Sequence, residues 1–193
     1  MHARTPGLEI VGMTGPANRA AESPWAAITG LVKELKRCEA AGVTMGALML
    51  AYVCIDVMAY LAMSLDKSEQ TKPDFIAWVD GYLKAHPDQP YQYRGIDVYA
   101  ARCAVLHAFS SEAALHRRDP AIRLFGYNDG GKHVFDPAKA PNLVLIGAVS
   151  FLNDVVIAVE AFLKECQEDP ALRVRAEARL PKVLQSFPIP INS

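Results

Sequence analysis

Residues 46–63 read GALMLAYVCIDVMAYLAM, eighteen positions with a single charged residue, Asp56, near the middle. A helix this apolar has no polar face, so it must be enclosed on every side, by lipid or by other helices. An aspartate is costly inside hydrocarbon, and no basic flank fixes an orientation across a bilayer. The expectation is therefore the central helix of a bundle, with no membrane involved. The chain can supply the enclosure: its 193 residues are 51% hydrophobic, and a chain of this length buries roughly 70% of the surface its unfolded form exposes, without a metal or disulfide staple.

The surrounding sequence reads mostly as helices. Residues 1–22 mix Gly, Pro, Arg and Ala without a period and read as a loose N-terminal arm; residues 23–193 read as one helical domain. Ser23 and Pro24 make a cap and first turn for a helix carrying Trp25, Ile28, Leu31, Val32 and Leu35, which stops at Gly42. The apolar run follows from Thr44 to about Ser64, then a charged connection. Pro73 and Asp74 open a third helix through Leu83, Gly95 to about Phe109 form a fourth, and residues 141–166 form a long fifth. A last helix runs from Pro170 to Gln185, with Arg173, Arg175 and Arg179 turned outward and Pro181 kinking or ending it. Between the fourth and fifth helices, IRLFGYN and KHVFD are β-prone and flank Asp129-Gly130-Gly131, which predicts a hairpin. The fold class is mainly α, a single-domain bundle of five or six helices with a small β-hairpin insert; 29 alanines favour close helix packing.

Charge and motif content exclude several functions. Twenty Lys and Arg against 21 Asp and Glu, evenly spread, do not make a globally basic nucleic-acid binder. Cys38, Cys54, Cys103 and Cys166 fit neither zinc-ligand spacing nor a disulfide framework and read as reduced core residues. His2, His86, His107, His116 and His133 are scattered, none with a partner ligand one helical turn away, so no metal site and no cofactor are expected. The glycines near residues 128–132 lack the phosphate-loop pattern, and Ser110-Ser111 lacks the glycines of a nucleophile elbow. The N-terminus shows no secretory signal, which makes the cytoplasm the expected location.

One stretch stands out, GIDVYAARCAVLHAFSSE, Gly95 to Glu112. It plants Arg102 in a small, apolar helix, with four residues between it and His107. A guanidinium in such company costs desolvation unless an anion answers it. A carboxylate such as Asp56 or Asp97 is the structural answer, with His107 a hydrogen-bonded helix-end residue; a substrate phosphate is the functional one. Residues five apart on a helix differ by about 140° in azimuth, so the two side chains meet only where the helix ends or at a dimer seam.

The Arg102-x4-His107 pair, with the preceding IDVMAYL of residues 55–61 and the helix order over residues 43–168, resembles the HEPN superfamily of small helical proteins, many of them metal-independent ribonucleases. The resemblance implies catalytic roles for Arg102 and His107 in a site shared across a two-fold homodimer, acting on RNA. Active members commonly carry a polar residue after the arginine; here it is Cys103. Asp56, Tyr99, Ser111, Arg117 and Arg118 complete the candidate RNA- or ligand-binding set. Tyr99 also fits a core position, and the cluster of His116, Arg117, Arg118 and Arg123 also fits a solvated turn. The alternative is a non-catalytic helical dimer that binds RNA, a nucleotide or a protein partner.

Overall fold

The computed structural model describes residues 25–183. Helix boundaries follow from local chemistry. Helix α1 (Ala26–Ala40) ends at Gly42, whose φ of 70° opens a tight turn in which Val43 N donates to the Cys38 carbonyl at 2.8 Å. Helix α2 (Thr44–Ala62) then runs back along α1. Thr71 and Asp74 form a capping box at the start of α3 (Lys72–Tyr82), with Pro73 in its first turn. Helix α4 (Gly95–Ala108) ends in a left-handed Phe109, the short α5 spans Ala114–Arg118, and α6 covers Ala148–Glu168. Asp169 caps α7 (Pro170–Arg179) by accepting from Ala171 N at 2.8 Å. A 3-10 turn, Leu180–Lys182, follows.

Helix α2 is the centre of the bundle. By length and composition it is the one described helix able to cross a membrane; here it packs on α1, α3, α4, α6 and α7. Leu48, Tyr52, Ile55, Met58 and Leu61 are buried along it, the leucine, isoleucine and methionine side chains each stabilising the fold by about 1.5–3 kcal/mol. Its remaining stripe, from Met45 and Met49 to Asp56, is partly open. Cys54 and Cys166 are buried, Cys38 and Cys103 half-buried, and all four are free thiols.

The chain is mainly helical with a small β insert, and seven helices occur among the described residues. The insert is built differently from the expected hairpin. Strands β1 (Leu124–Asn128) and β2 (Leu143–Gly147) pair in parallel, Leu124 opposite Leu143 through Asn128 opposite Gly147. KHVFD contributes only one antiparallel bridge, Val134 to Leu145. The Asp129-Gly130-Gly131 turn does not send the chain back along β1, because His133 is drawn beneath the start of α6. Gln89 Oε1 accepts from His133 N at 2.8 Å, and His133 Nδ1 accepts from Gly147 N at 3.1 Å. A Cβ on Gly147 would lie 2.7 Å from the Lys132 carbonyl oxygen, so this approach requires glycine.

Two further differences concern helices. The run from residue 141 to 166 is a strand and then a helix, with Val144 and Ile146 buried and Leu143 and Leu145 exposed, the period of two of a half-buried strand. Arg179 is not outward: it is buried, its Nη1 donating to the Met63 carbonyl at 2.9 Å and its Nη2 to those of Ser64 at 2.5 Å and Lys67 at 3.2 Å. It thereby closes the C-terminal end of α2. Arg173 is exposed and Arg175 half-buried. The last helix, expected to run to Gln185, gives way after Arg179 to the 3-10 turn that contains Pro181. The arm at residues 1–22 and the Ser23-Pro24 helix start lie outside the described residues.

Candidate functional site

The central stripe of α2 and the length of α4 meet at Asp56 and Arg102. Arg102 Nε donates to Asp56 Oδ2 at 2.8 Å and Nη2 lies 2.7 Å from the same oxygen. Each side chain is 22% exposed, so the pair is neither sealed nor fully solvated. Burial pushes the Asp56 carboxyl above its ordinary range, and the hydrogen bond and charge of Arg102 pull it only part of the way back. Of the two carboxylates anticipated for Arg102, Asp56 is the partner. Asp97 is buried and committed elsewhere, accepting from Tyr91 Oη at 2.9 Å, from both Nε and Nη2 of Arg94 at 2.6 Å, and from Arg123 N at 2.9 Å.

Arg102 also reaches His107. Its Nη1 is 2.9 Å from His107 Nε2. A guanidinium has no lone pair to offer, so Nη1 donates and Nε2 accepts, leaving the imidazole neutral with its proton on Nδ1. The azimuthal gap between the two positions is bridged by the length of the arginine and by the site of His107, in the last turn of α4, where the ring is exposed. Cation and imidazole thus share one accessible spot. An anion that takes Nη1 of Arg102 frees the Nε2 lone pair to accept a proton.

Tyr99, one turn before Arg102, is half-buried and meets Phe75 edge-on with centroids 5.4 Å apart. Its phenol is pushed above its ordinary value by burial and by the neighbouring Cys103 thiol. Together with Asp56, Gln70, Thr71, Lys72 and Arg102 it borders a polar hollow of about 140 Å³ between α4 and the start of α3. Asp56, Tyr99, Arg102 and His107 are thus brought together, and sequence reasoning missed Gln70 and Lys72. No local signal marks them, since they sit in an ordinary charged connection.

The other candidates lie apart. Ser111 borders a separate cleft of about 270 Å³ with Met45, Val105, Phe109, Phe125 and Tyr127. Ser110 Oγ accepts from Glu112 N at 3.1 Å, a backbone-turning role. Arg117 pairs with Glu112 at 3.2 Å, and Arg118 is exposed. His116 is buried and tied into the turn, its Nδ1 accepting from Ala113 N at 2.9 Å and its Nε2 donating to the Arg123 carbonyl at 3.1 Å. Arg123 lies over the Phe135 ring at 4.4 Å. Among the described residues no group of three or more His, Cys, Asp or Glu is arranged to hold a metal ion. Comparison with protein-family models, with curated proteins and with solved structures gave no match.

Proposed function

We propose that Arg102 and His107 form a metal-independent endoribonuclease site of the HEPN kind. The observation that carries this reading is the contact between Arg102 Nη1 and His107 Nε2, at 2.9 Å on accessible surface, with the guanidinium steadied by Asp56. A backbone phosphate of RNA takes Nη1, and the freed Nε2 accepts the proton of the adjacent ribose 2′-hydroxyl. The 2′-oxygen forms a bond to phosphorus while the bond to the 5′-oxygen breaks, that oxygen taking a proton from solvent. The products are a 2′,3′-cyclic phosphate and a 5′-hydroxyl. Arg102 offsets the charge that builds on the phosphoryl oxygens. DNA lacks the nucleophile and is not cut. The reading places the protein in the cytoplasm.

A second copy is part of this reading. Met45, Met49 and Phe109 are exposed, Phe109 by 67%, and Met49 shares the α2 stripe of Asp56. A homodimer covering this apolar surface sets two Arg102 and His107 pairs across one seam.

The test is cleavage of single-stranded RNA in chelator by wild type, Arg102→Ala and His107→Ala, with melting and sedimentation alongside. His107→Ala removes cleavage and changes stability by less than about 0.5 kcal/mol, because the ring is exposed. Arg102→Ala lowers the rate about 10²–10³-fold. Cleavage that persists in both variants, or wild type that cuts no RNA, overturns the reading. The Asp56 bridge, which gives Arg102 a partner within the fold, favours a second reading, a non-catalytic dimer that binds RNA, a nucleotide or a protein. Binding of RNA without cleavage is its signature.

A further inference from the structure

We propose that the hollow bordered by Gln70, Thr71, Lys72, Tyr99 and Arg102 is a phosphate subsite, with Lys72 as its positioning cation. It holds the backbone phosphate next to the one at Arg102 and His107, which makes single-stranded RNA the substrate. The proposal rests on the ribonuclease reading.

Three observations carry it. The first is an imbalance of partners. Lys67, on the same connection, is taken by Asp74 at 2.5 Å, and Thr71 by the same carboxylate. The side chains of Lys72 and Gln70 have no ion pair or hydrogen bond among the described residues. The hollow is thus bordered by an exposed lysine and a half-buried glutamine whose side chains no other group of the fold engages. The second is charge: two cationic residues, Lys72 and Arg102, border the hollow with one carboxylate, Asp56, whose Oδ2 already accepts from Arg102. The surplus is positive, and a phosphate cancels it. The third is alignment. Tyr99, Arg102 and His107 follow one another along α4 within about 12 Å of helix axis, so a strand laid along α4 carries one phosphate to the Arg102 and His107 pair and its neighbour to the hollow. A duplex holds adjacent phosphates in fixed A-form geometry, whereas a single strand adjusts its backbone to occupy both places.

The probe is a labelled 2′-O-methyl oligoribonucleotide, which lacks the attacking hydroxyl, bound to the full chain and followed by anisotropy over a salt series. Lys72 is exposed at the first position of α3, so its replacement leaves the fold intact. Lys72→Ala weakens binding about 3–10-fold and flattens the slope of log affinity against log salt by about 0.7, the loss of one phosphate contact on a single strand. Lys72→Arg keeps both. On cleavable RNA, Lys72→Ala raises KM and leaves kcat unchanged. Unaltered affinity and slope in Lys72→Ala, with wild type cutting RNA, overturn the subsite and leave the ribonuclease reading standing. Lys72-dependent binding by a protein that cuts no RNA keeps the subsite and overturns the ribonuclease reading. Failure of wild type to bind the probe overturns the subsite.

Discussion

Acidification should weaken the fold through His133, by an amount its surroundings define. The ring is 2% exposed, beneath the N-terminus of α6. Its Nδ1 accepts from Gly147 N at 3.1 Å, so in the neutral ring the proton sits on Nε2, which donates to Tyr93 Oη at 2.8 Å; that hydroxyl donates to Asp154 Oδ2 at 2.9 Å. A second ring proton has no acceptor and breaks the bond to Gly147. Burial accordingly lowers the His133 pKa from 6.5 to about 4. Between those values the unfolded chain binds a proton that the folded chain does not. The contribution is whole above pH 6.5 and is lost as pH falls toward 4, a loss of about 3 kcal/mol. Asp56 and Asp154, whose carboxyls burial raises, act with the opposite sign: their ionisation costs stability as pH rises above the ordinary carboxylate range. His133 is therefore isolated by difference. His133→Asn keeps an acceptor for Gly147 N and does not titrate. Urea unfolding followed by circular dichroism at intervals between pH 7 and 4 should show wild type losing about 3 kcal/mol more than the variant. Parallel stability curves for the two proteins refute the reasoning.

Two other perturbations test the packing. Phe109 closes α4 with φ of 45° and is 67% exposed, so Phe109→Gly relieves left-handed strain while forfeiting little burial. It should stabilise the monomer fold by about 1 kcal/mol, seen as a rise in Tm of roughly 2–4 °C; a lower Tm shows that the ring contributes more to packing than its exposure implies. Arg179→Ala leaves the carbonyls of Met63, Ser64 and Lys67 without their donor and should cost about 2 kcal/mol in urea unfolding. An unchanged midpoint shows that water replaces the guanidinium.

The sequence by itself determined the elements whose stabilising contacts are local. Helical hydrogen bonds close within four residues, so apolar period, proline and capping chemistry marked α1 to α4 and α7, and an all-round apolar stretch with one charge marked α2 as the centre. The same local reasoning held for part of the site. A lone aspartate in one apolar helix and a lone arginine in another are each too costly to bury alone, and Asp56 and Arg102 meet. Tertiary structure alone decided what depends on distant segments. The partner of β1 was not in the strand that follows it, because the ladder bonds of a parallel pair are made across a long connection; β2 was hidden in a run that also reads as helix until Gly147 breaks it. Arg179 was legible as a surface residue on its own helix, and became a buried one only because the exposed carbonyls at the end of α2 lie within its reach. Lys72 and Gln70 carry no pattern at all; what sets them beside Arg102 is the angle at which α3 leaves its connection and packs on α4.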